Sequence, residues 1–250
     1  MATDSRGPTR SENRLLATLP GAEYGRLVAG MDAVTFAPRD VVYRAGGPLR
    51  HVYFPRSGVF SLAVLMGDGR VAEVGVVGRD GELGMPAFHG AVRSRVEVVC
   101  QAGPGDAWRL PGDAFQREAG RPGPFRELLH RYARVAFDQV AQAAACNGLH
   151  TVAERCARRL LEARDRAGAD EFPLTQELLA ALLGVRRESV TLAAGRLQQA
   201  GAIEYARGRV RVVDPGRLEA AACECYRAGR DDLDRLAADP AGPEAVPRTP

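Results

Sequence analysis

The chain contains no lysine: all 34 of its basic residues are arginine, so every cation available to it is a planar, forked guanidinium. It also lacks any apolar run of the ~18 residues that a membrane span needs. Met1 to Arg10 is polar, with no hydrophobic core of a secretory signal. The expectation is a cytoplasmic protein. Five cysteines (Cys100, Cys146, Cys156, Cys223 and Cys225) make an odd number at irregular spacings, which argues against a disulfide framework. No pair has zinc-ribbon spacing, and no N-terminal cluster resembles an iron–sulfur ligand set. Cys223-Glu-Cys225 is the one close pair; it reads as buried, inert thiols, with metal coordination as the alternative. Only four histidines occur (His51, His89, His130 and His150), scattered along the chain. That leaves a cupin-like metal enzyme without a ligand set on neighbouring strands. Nucleophile-elbow, P-loop and dinucleotide fingerprints are absent as well. No catalytic residue and no metal ligand is expected.

What is present fits one large domain or two ordinary ones, with 250 residues of which 46% are hydrophobic and 26% charged. The net charge of +3 is mild, but its distribution is not even. Between residues 186 and 211 stand Arg186, Arg187, Arg196, Arg207, Arg209 and Arg211 against only Glu188 and Glu204.

Residues 1–12 and 237–250 read as disordered tails, the latter rich in proline and alanine. Asn13 to Ala29 suggests two short helices broken at Pro20-Gly21. From Asp32 to Leu110 the pattern becomes short apolar runs separated by glycine: Val34–Phe36, Val41–Tyr43, His51–Phe54, Val59–Met66, Val71–Val77, Val96–Cys100 and Ala107–Leu110. Such runs predict an antiparallel sandwich or barrel, with a tight hairpin at Gly67-Asp68-Gly69. Pro111-Gly112 closes this region, and a short helix is predicted to Ala119. A long helix opens at Phe125 and ends at Asn147-Gly148. Leu128, Tyr132, Val135, Gln139 and Ala143, with Leu129, Ala133, Ala136, Val140 and Ala144 alongside, give it a broad face of small apolar residues. That face either packs on the β region or forms a two-fold helix–helix seam, which near-heptad spacing suits. Val152 to Arg166 is another helix, read with Cys156, Leu160 and Leu161 inward and its arginines outward. A last helix is expected from about Gly216 to Leu236.

The segment from Thr175 to Ala200 carries the functional signal. Thr175 can cap a helix over Gln176–Leu183; Gly184 supplies a tight turn and Val185 a wedge. A second helix follows from Arg186 to Ala200, with Val190, Ala194 and Leu197 inward and Ala193 and Ala200 alongside. Its other side offers Arg187, Glu188 and Thr191, with Arg186 and Ser189 at its start. Helix, glycine turn and a helix polar at its N-terminus is a helix-turn-helix layout. Arginine can donate two hydrogen bonds to guanine and glutamate can accept from cytosine N4, while Ser189 and Thr191 suit phosphate oxygens. Ile203–Tyr205 and Val210–Val213 flank a turn at Arg207-Gly208, and the Tyr205–Arg211 hairpin, with Arg207, Arg209 and Arg211 alternating, would be a wing over the adjacent backbone.

This order of parts, with Leu182-Leu183-Gly184-Val185-Arg186-Arg187-Glu188-Ser189-Val190, resembles the Crp/Fnr family of bacterial transcription regulators over roughly Asn13 to Leu236. The resemblance implies an α+β fold: a cyclic-nucleotide-binding-like antiparallel β-roll over 13–120, a dimerisation helix over 121–147, and a winged helix-turn-helix over 148–236. It implies a homodimer on a palindromic double-stranded operator, with RNA polymerase as a further partner. It assigns DNA contacts to Thr175, Arg186, Arg187, Glu188, Ser189, Thr191, Arg207 and Arg209. By the same resemblance a cyclic nucleotide would meet Glu82, in Gly81-Glu82-Leu83-Gly84, and Arg93 and Ser94. Gln139 and Gln142 stand where the long helix would offer a hydroxyl pair. Two departures bear on DNA reading: Arg186 replaces a Ser or Thr cap, and Leu192 stands where relatives place a second base-contacting arginine. A nucleotide-sensing adaptor with no DNA role is the rival reading.

Overall fold

A computed structural model describes residues 12–238. The expected tails lie outside them, apart from Glu12, which pairs with Arg56 at 2.7 Å, and residues 237 and 238, which belong to the final helix. Two short helices come first, α1 (Arg14–Ala17) and α2 (Gly21–Val28). Asn13 caps α1: its side-chain oxygen accepts from the Leu16 N–H at 2.9 Å, while its amide donates to the carbonyls of Pro55 and Gly81. One buried polar side chain thus ties the first helix to the strands behind it.

Seven strands follow: β1 (Asp32–Phe36), β2 (Val41–Tyr43), β3 (His51–Pro55), β4 (Val59–Leu65), β5 (Val71–Val77) and, beyond the short helix α3 (Met85–Phe88), β6 (Glu97–Ala102) and β7 (Gly105–Pro111). All seven predicted runs became strands. They pair antiparallel in two sheets, β1-β7-β3 and β2-β6-β4-β5. Phe54 and Trp108 from one sheet share a core with Phe60, Val98 and Cys100 from the other. The β4–β5 hairpin turns where Gly69 adopts φ +83°, and the Asp68 carboxylate accepts from the Arg70 N–H at 3.0 Å.

After α4 (Gly112–Gly120) comes the 26-residue helix α5 (Pro124–Leu149). Glu23 accepts from the Phe125 N–H at 3.1 Å and so caps its start. The helix runs through Asn147-Gly148 instead of ending there, because helical hydrogen bonding continues until His150 turns extended. Its apolar face is divided. Leu128, Leu129, Tyr132 and Val135 are buried in the β-roll core. Farther on, Phe137, at 72% exposure, and Val140 are exposed, as is Leu149 at the helix end.

The remaining elements are α6 (Val152–Ala167), β8 (Glu171–Pro173), α7 (Gln176–Leu183), α8 (Arg187–Gln199), β9 (Ile203–Ala206), β10 (Arg209–Val212), α9 (Pro215–Ala220) and α10 (Cys225–Ala238). β8 joins β10 and β9 in a three-stranded sheet, and Cys156, Leu160, Leu179, Val190, Leu197 and Val210 form a second core. Two corrections to the sequence reading follow. The single terminal helix is really two, α9 and α10, and α10 returns to the first core through Leu236. The arginines of α6 do not all point outward: Arg155 and Arg159 are buried, and Arg159 reaches Glu73 on β5. No described helix is long and apolar enough to cross a membrane.

Candidate functional site

Local chemistry builds the helix pair as its residue types dictate. Thr175 is extended at the start of α7, and its hydroxyl oxygen accepts from the Leu178 N–H at 3.1 Å. Gly184 takes φ +64°, the left-handed geometry that ends α7 without a Cβ clash. Val185 packs against the second core beside it. Arg186 occupies the cap position of α8 but makes no capping hydrogen bond through its side chain. The Ser189 N–H donates to the Arg186 carbonyl at 3.1 Å, which leaves the Arg187 and Glu188 N–H groups to face an anion.

α8 buries Val190, Ala193, Ala194 and Leu197 and exposes Arg186, Arg187, Glu188, Thr191 and Leu192, with Ser189 half-buried. The side chains of Arg187 and Glu188 have no hydrogen-bond or ion-pair partner among the described residues. Thr191 is held differently: its hydroxyl donates to Gln176 Oε1 at 2.8 Å, which joins the exposed sides of α7 and α8. The wing is tied to the same face. The Leu174 N–H donates to the Gly208 carbonyl at 2.9 Å, and Tyr205 donates its hydroxyl to the Leu174 carbonyl. Arg207 and Gly208 both adopt positive φ, as a tight hairpin turn requires. The wing arginines are not equivalent. Arg209 pairs with Glu171 at 2.6 Å and Arg211 with Glu204 at 2.6 Å, whereas Arg207 at the tip has no ion pair among the described residues.

The three effector candidates are not alike either. Glu82 is buried, and neither carboxylate oxygen has a hydrogen-bond partner among the described residues. Its backbone N–H donates to the Tyr132 hydroxyl at 3.1 Å, and Gly81 must be glycine because a Cβ there would strike that hydroxyl. Arg93 instead lies on the surface, donating to the Gly46 carbonyl at 2.8 Å. Ser94 is buried, with its hydroxyl donating to the Val96 carbonyl at 2.6 Å. A carboxyl with free acceptors fits ribose hydroxyls; the arginine and serine would have to exchange internal partners for a phosphate. A cavity of about 330 Å³ opens between β5, α5, α6, α7 and α10, lined in part by Gln139 and Gln142, but none of the three candidates lines it.

Burial pushes the Glu82 carboxyl well above the ordinary glutamate range. The folded chain therefore holds a proton that the unfolded chain releases, and this contribution to stability is lost as pH rises from the unfolded toward the folded value. Glu82→Gln is expected to match the wild type in Tm at pH 4 and to exceed it by roughly 4 °C at pH 8. Thermal melts at the two pH values check it; an equal offset at both would mean that Glu82 does not titrate differently on folding.

The histidines and thiols read as unconnected do not remain so. Cys146, His150, Cys223 and Cys225 meet at one place, although His51, His89 and His130 stay apart from them. Contact over such sequence separations leaves no local signal. The Cys223-x-Cys225 spacing was the only hint.

An antiparallel β-roll joined by a long helix to a winged helix-turn-helix, with an exposed Arg-Glu pair at the start of its second helix, is the architecture of a transcription regulator. Residues 33–121 match the cyclic nucleotide-binding domain family, and residues 154–221 match the Crp-like helix-turn-helix domain family. The chain belongs to the Crp/Fnr family of transcription regulators. Among solved structures it is similar to a CRP-family transcriptional regulator from Thermus thermophilus (23% identity, 76% of this chain and 96% of that one, TM-score 0.63). It is similar also to FixK2 from Bradyrhizobium japonicum (18%, 77% and 98%, TM-score 0.63). A third is the c-di-GMP-responsive global regulator CLP from Xanthomonas campestris (18%, 77% and 99%, TM-score 0.62). At these identities the likeness is one of fold. No curated protein matches the chain significantly in sequence.

Proposed function

We propose that the chain acts in the cytoplasm as a homodimer that reads a palindromic operator, with α8 in the major groove. The observation that carries this is the unpartnered pair Arg187 and Glu188 on the outer face of α8, beside an uncapped helix N-terminus and the Arg207 wing tip. Arg187 donates to a guanine edge and Glu188 accepts from a cytosine amine. Leu192, 68% exposed on the same helix, offers an apolar surface to a thymine methyl in place of a second arginine. The N–H groups behind Arg186, together with Ser189 and Arg207, take phosphates. Thr175 sets the start of α7, and Arg209 adds little because Glu171 already neutralises it. Residues 13–120 serve as sensor and 148–236 as DNA-binding region. The dimerisation segment over 121–147, nearly all of it within α5, pairs with its copy through Phe137, Val140, Ala141 and Ala144, whose spacing places them on one exposed face. RNA polymerase is the further partner such a regulator meets at a promoter.

Two-fold pairing must hold the recognition helices about 34 Å apart, one turn of duplex. Selection of genomic fragments by the full chain, followed by footprinting, is expected to return an inverted repeat with that spacing. Fragments without any shared sequence, bound with equal affinity, would leave the adaptor reading instead.

The unpartnered carboxyl of Glu82 favours a nucleotide effector in the β-roll, its ribose hydroxyls donating to Glu82. Calorimetric titration of the full chain with cAMP and with cGMP tests it. Saturable heat lost in Arg93→Ala supports the reading, and flat titrations with both nucleotides remove it.

A further inference from the structure

Four side chains from two distant stretches converge where α5 ends. Cys146 lies on the last turn of α5 and His150 is its C-cap; Cys223 comes from the turn that joins α9 to α10, and Cys225 opens α10. One potential ligand atom from each lies within 4.8 Å of all the others. Cys146 Sγ is 3.6 Å from Cys223 Sγ, and Cys225 Sγ is 3.6 Å from His150 Nδ1. All three thiols are buried, in a cluster distinct from both main cores. Apolar packing alone gives no reason for three cysteines and an imidazole to choose one another.

The dimensions suggest a reason. With metal–sulfur bonds of about 2.3 Å and metal–nitrogen bonds of about 2.0–2.1 Å, a tetrahedron has edges of about 3.8 Å between sulfurs and about 3.5 Å between sulfur and nitrogen. Both measured separations fall close to those edges. An iron–sulfur cluster, with several irons and bridging sulfides between its ligands, needs a wider set than this one.

The surroundings have the form of an outer ligand shell. His150 Nε2 is 3.2 Å from Glu224 Oε2, which fixes the tautomer and leaves the Nδ1 lone pair directed at the cluster. Gln142 donates an amide hydrogen to Cys225 Sγ at 2.9 Å. Three thiolates around a dication carry one net negative charge. The charge of Arg158 acts on all three cysteines, and that of Arg155 on Cys146 and Cys223. Cys225 also lines the cavity between the helices, which gives an ion a way in.

We propose that Cys146, His150, Cys223 and Cys225 form a Cys3His site for one borderline-soft divalent cation, with zinc as its natural occupant. Four protein ligands leave no open position, so the ion is structural. All four residues lie outside the stretches matched by the two domain families, 33–121 and 154–221. The site staples the α9–α10 turn to the joint between α5 and α6. There the chain turns from the long helix toward the helix-turn-helix, so occupancy fixes the angle between them.

The full-length chain, purified under reducing conditions without chelator, is expected to carry about one zinc per chain by elemental analysis. Stripped and titrated with Co²⁺, it is expected to show thiolate-to-cobalt charge transfer in the near ultraviolet. The strong visible bands of tetrahedral cobalt should accompany it, and zinc should abolish both. Zinc at saturating concentration is expected to raise Tm by about 10 °C. Cys223→Ser and His150→Ala should each lose the cobalt spectrum. Less than about 0.1 equivalent of zinc taken up by the folded, reduced wild type, with cobalt showing only the aqueous octahedral spectrum, overturns the proposal. So does a Cys146–Cys223 disulfide found in place of metal. The wild type carries the decisive measurement, so a variant that fails to fold changes nothing. Metal uptake is read without DNA, and its failure would leave the operator-reading proposal standing.

Discussion

Glu73→Ala is expected to destabilise the protein by about 3–5 kcal/mol, a larger loss than any cap or surface pair here should cause. The Arg159 side chain is 2% exposed and that of Glu73 7%. The guanidinium donates twice to the carboxylate, at 2.5 and 3.1 Å, and once more to Gln101 Oε1. Glu73 and Gln101 belong to the β-roll, whereas Arg159 is central in α6. The pair is therefore a buried ionic bolt between the β-roll and the helices that carry the recognition element. Alanine at position 73 leaves a buried guanidinium with only an amide oxygen to answer its charge. Replacing both partners, as Glu73→Leu with Arg159→Met, removes the unpaired charge and is expected to recover most of the loss. Urea unfolding followed by two probes, one for each core, separates global loss from opening of the joint. A loss of less than about 1 kcal/mol would mean that the pair is hydrated in solution and that the joint opens freely.

That bolt also marks the limit of what could be read from the chain alone. The β-roll was legible because each strand is short, apolar and bounded by glycine or proline, so local pattern and tertiary role agree. The same is true of Thr175, Gly184 and the Arg207-Gly208 turn, where backbone geometry selects the residue type. Arg159 was misread because an arginine on an amphipathic helix is normally solvated, and its carboxylate lies 86 residues away. β8, three residues ending in proline, has too little alternation to announce itself and exists because β10 pairs with it. The stripe on α5 was seen as one face, yet its first half serves the β-roll core and only its later part stays open. Glu82 and Ser94 were picked out by resemblance, but their burial and the surface position of Arg93 depend on packing that periodicity does not encode. The thiol cluster joins residues 77 apart, from Cys146 to Cys223, and neither stretch looks special alone.

Arg187→Ala is expected to cost about 1–3 kcal/mol for each half-site, the worth of a bidentate arginine–guanine pair. A dimer would carry two such pairs, so operator affinity should fall by about 30-fold to 10⁴-fold while non-specific affinity changes little. Discrimination should relax at one base position in each half-site and stay intact elsewhere. Arg207→Ala makes the contrasting case. As a phosphate contact it should weaken binding to every sequence alike and lower the salt slope by about one per chain. Stability offers no confounding explanation, because Arg187 is exposed and its side chain holds nothing else in place. Competition binding to a set of single-base operator variants, at two salt concentrations, separates the two behaviours. Unchanged discrimination in Arg187→Ala, with affinity lost uniformly, would reassign Arg187 to the backbone and leave Glu188 and Leu192 to carry the sequence readout.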